Sequence, residues 1–132
     1  MIDDRGCIVH DVRFPYPVER VWASLTDRDA LAQWLMPNDF EARVGHRFRF
    51  EAGPPRGTIA AEVLVLDAPT RLQLRWMLDG VATTVTITLT ADGDGTRLHL
   101  EHAGLVDESR SKFDGGWIEK FDDLTTTLQE AR

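Results

Sequence analysis

Two of the four histidines in this chain have a spacing that invites a chemical role. His99 and His102 form a His-x-x-His pair, but residues three apart in a strand point to opposite faces, so they are not expected to share a metal ion. His102 instead has the parity of Leu98 and Leu100, which places it on the predicted inner face. A buried imidazole can be a base, a ligand anchor or a satisfied core group. We favour the core group, because no partner for His102 is evident.

Glu62 is the other candidate for acid–base chemistry. It shares strand parity with Leu64 and Leu66, which would bring it towards the interior and within reach of a histidine or an arginine. A β-bulge in the same strand would reverse that parity and leave Glu62 as a surface carboxylate. The catalytic candidates are therefore His102 and Glu62, with no role assigned to either.

The common catalytic and cofactor motifs are missing from the sequence. There is no HExxH, no Cys-x-x-Cys pair, no P-loop glycine pattern and no G-x-S-x-G. We therefore expect no cofactor and no metal site, and we favour a binding protein over an enzyme.

Periodicity and turn residues predict the elements that position these side chains. Strands are expected over residues 7–14, 43–51, 58–66, 71–77, 81–91 and 96–103. Two short helices are expected after the first strand, one starting at Val18 and one ending near Trp34. Asp79 and Gly80 are the strongest hairpin signal. Consecutive strands joined by short turns indicate an antiparallel sheet, which gives an α+β fold.

The last stretch predicts a long helix over residues 113–128. Phe113, Trp117, Phe121, Leu124 and Leu128 recur at spacings of four, four, three and four, so they share one face. A helix of this length is about 24 Å long. It can therefore cover a sheet of several strands.

The remaining residues of that helix include polar groups and two glycines. Lys120 is assigned to the wet face, together with several acidic residues. Gly115 and Gly116 fall in the first turns, where each costs roughly 1 kcal/mol relative to alanine. Either another part of the chain comes close to them, or the helix starts late.

Composition excludes several classes of protein. A chain of 132 residues with a formal net charge of −7 fits one domain, residues 1–132, that does not bind nucleic acid. The N-terminus lacks a signal-peptide pattern and no run is long enough to span a membrane, so no membrane insertion is expected. A single cysteine suits a reducing compartment, and we expect a cytoplasmic protein.

Three stretches together resemble the START-like helix-grip (SRPBCC) superfamily, and within it the family related to the activator of Hsp90 ATPase (AHSA1). They are PVERVWASLTDRDALAQWL, the pair VGHRFRFEAG and GTIAAEVLVLDAPTRLQLRW, and the closing GTRLHLEHAGL and GGWIEKFDDL. The resemblance implies a curved antiparallel sheet of about six strands wrapped around the long C-terminal helix. It also implies a cavity between the sheet and that helix, which many relatives use for an apolar ligand.

The expected ligand contacts are the inward residues of the strands and of the last helix. They are Phe48, Phe50, Leu64, Leu74, Trp76, Ile87, Leu100, His102, Trp117 and Phe121. A filled core has the same composition, so each aromatic residue has plain packing as its alternative.

The predicted function is binding of a small hydrophobic or amphipathic ligand, with the physiological role open. One alternative is a cofactor-independent cyclase or hydrolase-like enzyme that uses His102. The other is a chaperone-interacting protein similar to the Hsp90 activators. A homodimer through an edge strand or the Trp34 region is left open.

Overall fold

The computed structural model describes residues 1–130. The elements in chain order are β1 (Ile8–Phe14), α1 (Val18–Thr26), α2 (Arg28–Trp34), β2 (Arg47–Glu51), β3 (Thr58–Asp67), β4 (Arg71–Leu78), β5 (Val81–Asp92), β6 (Gly95–Ala103) and α3 (Asp107–Glu130). This order confirms the predicted succession of strand, two short helices, five strands and a long helix. The bounds of most elements agree with the sequence pattern to within one residue.

The six strands form one antiparallel sheet in the order β1-β6-β5-β4-β3-β2. All pairs except β1 with β6 are consecutive in the chain, so short turns suffice to connect them. The predicted hairpin between β4 and β5 is confirmed. Asp79 and Gly80 both have positive φ, at 54° and 80°, the conformation that a two-residue turn of this kind requires.

The helix α3 packs its predicted face on the sheet. Trp117, Phe121, Leu124 and Leu128 are buried, and Phe113 is half-buried against the same core. This is the helix-grip fold that the sequence predicted.

The prediction for the start of α3 was wrong. The helix begins at Asp107 rather than near residue 113. Both glycines therefore lie inside it, and no atom outside the local helix lies within 4 Å of a Cβ placed on either one. The acidic residues Asp107 and Glu108 in the first turn favour this early start, because carboxylates stabilise a helix N-terminus.

The two short helices pack against each other and against α3. The Asp27 side chain accepts a hydrogen bond from the Ala30 backbone N–H at 2.9 Å, which caps α2. Trp34 is 1% exposed, and its indole N–H donates to the Ser24 carbonyl at 2.8 Å. Trp34 is therefore a core residue, and a homodimer through its region stays a prediction.

Strand β3 contains the bulge on which the position of Glu62 depended. Val63 pairs with Leu74, whereas Val65 pairs with Gln73, so the register shifts by one residue at Leu64. Before the bulge, alternate residues such as Val63 are buried, and Glu62 lies on the opposite, outer face. The bulge alternative therefore holds for Glu62. Leu64 lies at the bulge itself, so the inward parity that was counted from Leu66 does not extend to it.

Strand β2 is shorter than predicted. It begins at Arg47 rather than at residue 43, because Val44, Gly45 and His46 form a turn before it. Val44 is accordingly 60% exposed. In residues 1–130, no helix is both long enough and apolar enough to cross a membrane.

Candidate ligand-binding site

A cavity of about 290 Å³ lies where α3, the β2–β3 loop and the end of α2 meet. Its walls are formed by residues just after α2, by the β2–β3 loop, and by β3, β4 and α3. The lining residues are Leu35, Met36, Ala52, Gly53, Pro54, Pro55, Arg56, Ile59, Trp76, Lys112, Phe113, Gly116, Trp117 and Lys120. The volume matches roughly ten water molecules, so the space suits a small organic molecule.

Two tryptophans form the inner wall of this cavity. The rings of Trp76 on β4 and Trp117 on α3 lie 5.4 Å apart, centroid to centroid. Both are almost fully buried, and Trp117 also stacks on Phe121 at 5.8 Å. On the other side, Trp76 contacts Phe50 at 5.2 Å. The cavity wall is thus continuous with a packed aromatic core, which fixes its shape.

Gly116 makes room for the cavity on the helix side. It lies between Phe113 and Trp117 on α3 and lines the cavity. Since nothing occupies the space in which its side chain would begin, a larger residue here would extend into the cavity. The glycine lowers the stability of the helix relative to alanine. Because it has no side chain, it leaves the cavity unfilled on this side.

His102 lies directly behind the tryptophan wall and is completely buried. The Trp117 indole N–H donates to His102 Nδ1 at 3.1 Å, and since an indole nitrogen only donates, Nδ1 must be unprotonated. The proton of the neutral ring is therefore on Nε2, which donates to Thr83 Oγ1 at 2.9 Å. The Thr83 hydroxyl in turn donates to the Trp76 carbonyl at 2.9 Å. The bonds form one directed chain from Trp117 to Trp76.

Burial lowers the pKa of His102 from 6.5 to about 4. The cause is desolvation, which disfavours the charged imidazolium. Both ring nitrogens are already engaged, so the ring offers no free lone pair to a substrate. In this geometry His102 holds the two cavity tryptophans in place, which agrees with the core-group interpretation.

The indole N–H of Trp76 is a buried donor with no acceptor among residues 1–130. Leaving such a donor unpaired costs about 1–3 kcal/mol. The nitrogen itself is buried in packed protein, although other atoms of the Trp76 side chain line the cavity.

Three cationic side chains belong to the cavity rim, and no acidic residue is among its lining residues. Lys112 and Lys120 flank Gly116 on α3, and Arg56 comes from the β2–β3 loop. The Arg56 guanidinium lies 5.1 Å from the Phe113 ring centroid and 3.4 Å from both carboxylate oxygens of Asp79. Lys120, which the sequence assigns to the wet face, is half-buried and lines the cavity.

Of the ten predicted ligand contacts, the structure brings Trp76 and Trp117 to the cavity. Seven others are buried but do not line it: Phe48, Phe50, Leu74, Ile87, Leu100, His102 and Phe121. Their contact with a ligand stays a prediction. Leu64, the tenth, lies at the bulge and is not part of the buried core cluster.

Sequence reasoning missed the loop and rim residues of the cavity. Strand parity identifies only inward residues of regular elements, so it does not assign the loop residue Arg56 to the cavity. Lys112 precedes the predicted start of the last helix, and Lys120 was assigned to its wet face. A usable signal was present in KFDGGWIEK, where two lysines and a glycine recur every four residues and so share one side of a helix.

Glu62 and His102 are on opposite sides of the sheet and do not form an acid–base pair. The Glu62 carboxylate accepts a hydrogen bond from Arg75 at 3.0 Å, and Arg47 lies 3.7 Å from the same oxygen. His99 is likewise on the outer face, bonded to Asp11 at 2.9 Å and Glu101 at 3.1 Å. No cluster of three or more potential metal ligands is formed within residues 1–130.

Comparison with known proteins agrees with this architecture. The profile of the family described as activator of Hsp90 ATPase homolog 1-like protein matches residues 15–129. The chain belongs to this family. The match confirms the resemblance read from the sequence, and the AHSA1-like family supports a ligand-binding or chaperone-related type of domain. No curated protein sequence matches this chain.

Solved structures of similar proteins cover almost the whole chain. Protein MLL2253 from Mesorhizobium loti is 29% identical with a TM-score of 0.89, over 96% of this chain and 98% of its own. BH1534 from Bacillus halodurans is 28% identical with a TM-score of 0.80, over 92% and 96%. CalU16 from Micromonospora echinospora is 25% identical with a TM-score of 0.82, over 98% and 82%. These likenesses support the helix-grip fold of the AHSA1-like chain.

Proposed function

We propose that this AHSA1-like protein binds a small hydrophobic or amphipathic molecule in the cavity between α3 and the β2–β3 loop. The observation that carries the proposal is the cavity itself, which is lined by two buried tryptophans. Ligand pockets are typically concave, mostly apolar and provided with a few polar groups. The tryptophan wall, Ile59 and the proline pair of the loop supply the apolar surface.

The support for a ligand, rather than an incidental gap, comes from the helix side of the cavity. Gly116 weakens the helix by roughly 1 kcal/mol relative to alanine, and it leaves open space at the cavity where a side chain would begin.

The enzymatic alternative finds less support in the geometry. His102 is neutral, enclosed and committed to two hydrogen bonds, and Glu62 is on the outer face. Binding without chemistry requires neither residue to reach the ligand.

Calorimetric titration with octanamide, a neutral amphipathic probe of suitable size, tests the proposal. The native protein should bind it more tightly than about 1 mM. Gly116→Leu should abolish binding by filling the cavity. Gly115→Leu is the matched control, because Gly115 is also in α3 and unobstructed but does not line the cavity. Equal binding by both variants would refute the proposed site. A native protein that binds neither octanamide nor its anionic counterpart octanoate would refute the function.

A further inference from the structure

The charge around the cavity differs from the charge of the protein as a whole. The chain has 22 acidic and 15 basic residues, yet the cavity lining contains three basic residues and no acidic one. The sequence contains two lysines, Lys112 and Lys120, and both lie at this cavity. Both lysines of this acidic protein therefore lie at the same, largely apolar cavity.

The two lysines are placed by helix periodicity. Lys112, Gly116 and Lys120 are four residues apart, so they form one stripe along α3. The two lysine Cα atoms are about 12 Å apart along the axis, with the bare backbone of Gly116 between them. The two lysines therefore line the cavity on either side of Gly116.

The charges of the two lysines are not neutralised by ion pairs within the described part of the chain. Neither ammonium group makes a hydrogen bond or an ion pair with any residue in the range 1–130. Arg56 differs, since it already faces the exposed carboxylate of Asp79. The unmatched positive charge at the rim is therefore mainly that of the two lysines.

We propose that the ligand is an anionic amphiphile: a small molecule with an apolar body and a carboxylate or a similar anionic group. The apolar body lies against Trp76 and Trp117, and the anion lies at the rim between Lys112 and Lys120. This inference rests on the proposed function and specifies the chemical class of its ligand. Charge complementarity favours an anion, because neither rim lysine has an acidic partner within residues 1–130 and no acidic residue lines the cavity.

The test compares octanoate with octanamide, which have the same number of non-hydrogen atoms and differ in charge. The native protein should bind octanoate about tenfold more tightly than octanamide at low ionic strength. Lys112→Gln and Lys120→Gln should each weaken octanoate binding about threefold, and together about tenfold, without changing octanamide binding. Added salt should reduce the preference, because it screens exposed charges.

Arg71→Gln is the matched control for net charge. Arg71 is exposed on β4 and does not line the cavity, so this variant should keep the native preference. If octanoate and octanamide bind equally well, the cavity binds ligands but the inference is wrong. If the preference survives in the double lysine variant, the lysines do not select the ligand and the inference is also wrong. If neither probe binds, the proposed function fails together with the inference.

Discussion

Lowering the pH should destabilise the protein through one buried side chain, His102. The folded state holds this ring neutral, because Nδ1 accepts the Trp117 indole N–H and the site is fully buried. Its pKa falls from 6.5 to about 4 on folding. As the pH decreases, the unfolded state therefore takes up a proton before the folded state does, and the equilibrium moves towards unfolding.

The size of the effect follows from the two pKa values. The stabilising contribution of the neutral ring is fully present above a pH of about 6.5 and is lost progressively as the pH falls towards 4. A pKa difference of this size corresponds to about 3 kcal/mol in total. Between about pH 7.5 and pH 5, the expected loss of unfolding free energy from this one group is about 2 kcal/mol.

Urea denaturation at several pH values measures the effect, with His102→Gln as the reference. Glutamine does not titrate, so the difference between the two pH profiles isolates His102 whatever the absolute stability of the variant. The subtraction is necessary because other groups titrate too. The pKa of His99 is raised by hydrogen bonds to Asp11 and Glu101, so its contribution has the opposite sign and is lost as the pH rises.

Two results would refute this reasoning. Parallel pH profiles for the native protein and His102→Gln would show that His102 titrates alike in both states. A nitrogen NMR spectrum showing a proton on Nδ1 at neutral pH would contradict the direction of the hydrogen-bond chain. The expected spectrum has the proton on Nε2, bonded to Thr83.

Three further predictions concern stability and can be checked by the same denaturation assay. Thr83→Val should lower the free energy of unfolding by about 1–3 kcal/mol, because the buried His102 Nε2–H loses its acceptor. Unchanged stability would contradict the series of hydrogen bonds from Trp117 to Trp76. Gly115→Ala should stabilise the protein by about 0.5–1 kcal/mol, since Gly115 lies inside α3 with open space around it; a destabilised variant would show an unrecognised constraint. Asp27→Ala should cost about 1 kcal/mol by removing the cap of α2; unchanged stability would mean that water replaces the cap.

Most of the sheet was predictable because alternation along a strand is a local property. The inward faces of β4, β5 and β6 follow directly from residues such as Leu74, Ile87 and Leu100, and all three are buried. The bulge in β3 was recognised as an alternative but not located, since a run of apolar residues has no alternation in which an extra residue would show.

The N-terminal part of α3 could not be predicted from its amino-acid composition. Residues 107–112 carry no apolar stripe, and the two glycines that follow argue against helix on propensity alone. Acidic residues at the helix start and the contact of Phe113 with the core outweigh that preference.

The aromatic wall of the candidate site could be predicted from the sequence, whereas the basic residues at its rim could not. Trp76 and Trp117 follow from strand and helix periodicity, and both line the cavity. The loop carrying Arg56 has no periodicity, and its position depends on how β2 and β3 are joined. The role of Lys120 depends on the exact rotation of α3, which the five apolar residues fix only approximately.

The central claim is that a ligand binds against Trp76 and Trp117, and the indole N–H signals in a proton–nitrogen NMR spectrum test it most directly. The chain has four tryptophans, so two indoles report on the cavity and two serve as internal controls. Titration with octanoate should shift the Trp76 and Trp117 signals. The signals of Trp34, which is bonded to Ser24 in the core, and of Trp22 should stay in place. Unchanged cavity indoles at saturating octanoate, or equal shifts in all four, would contradict the account.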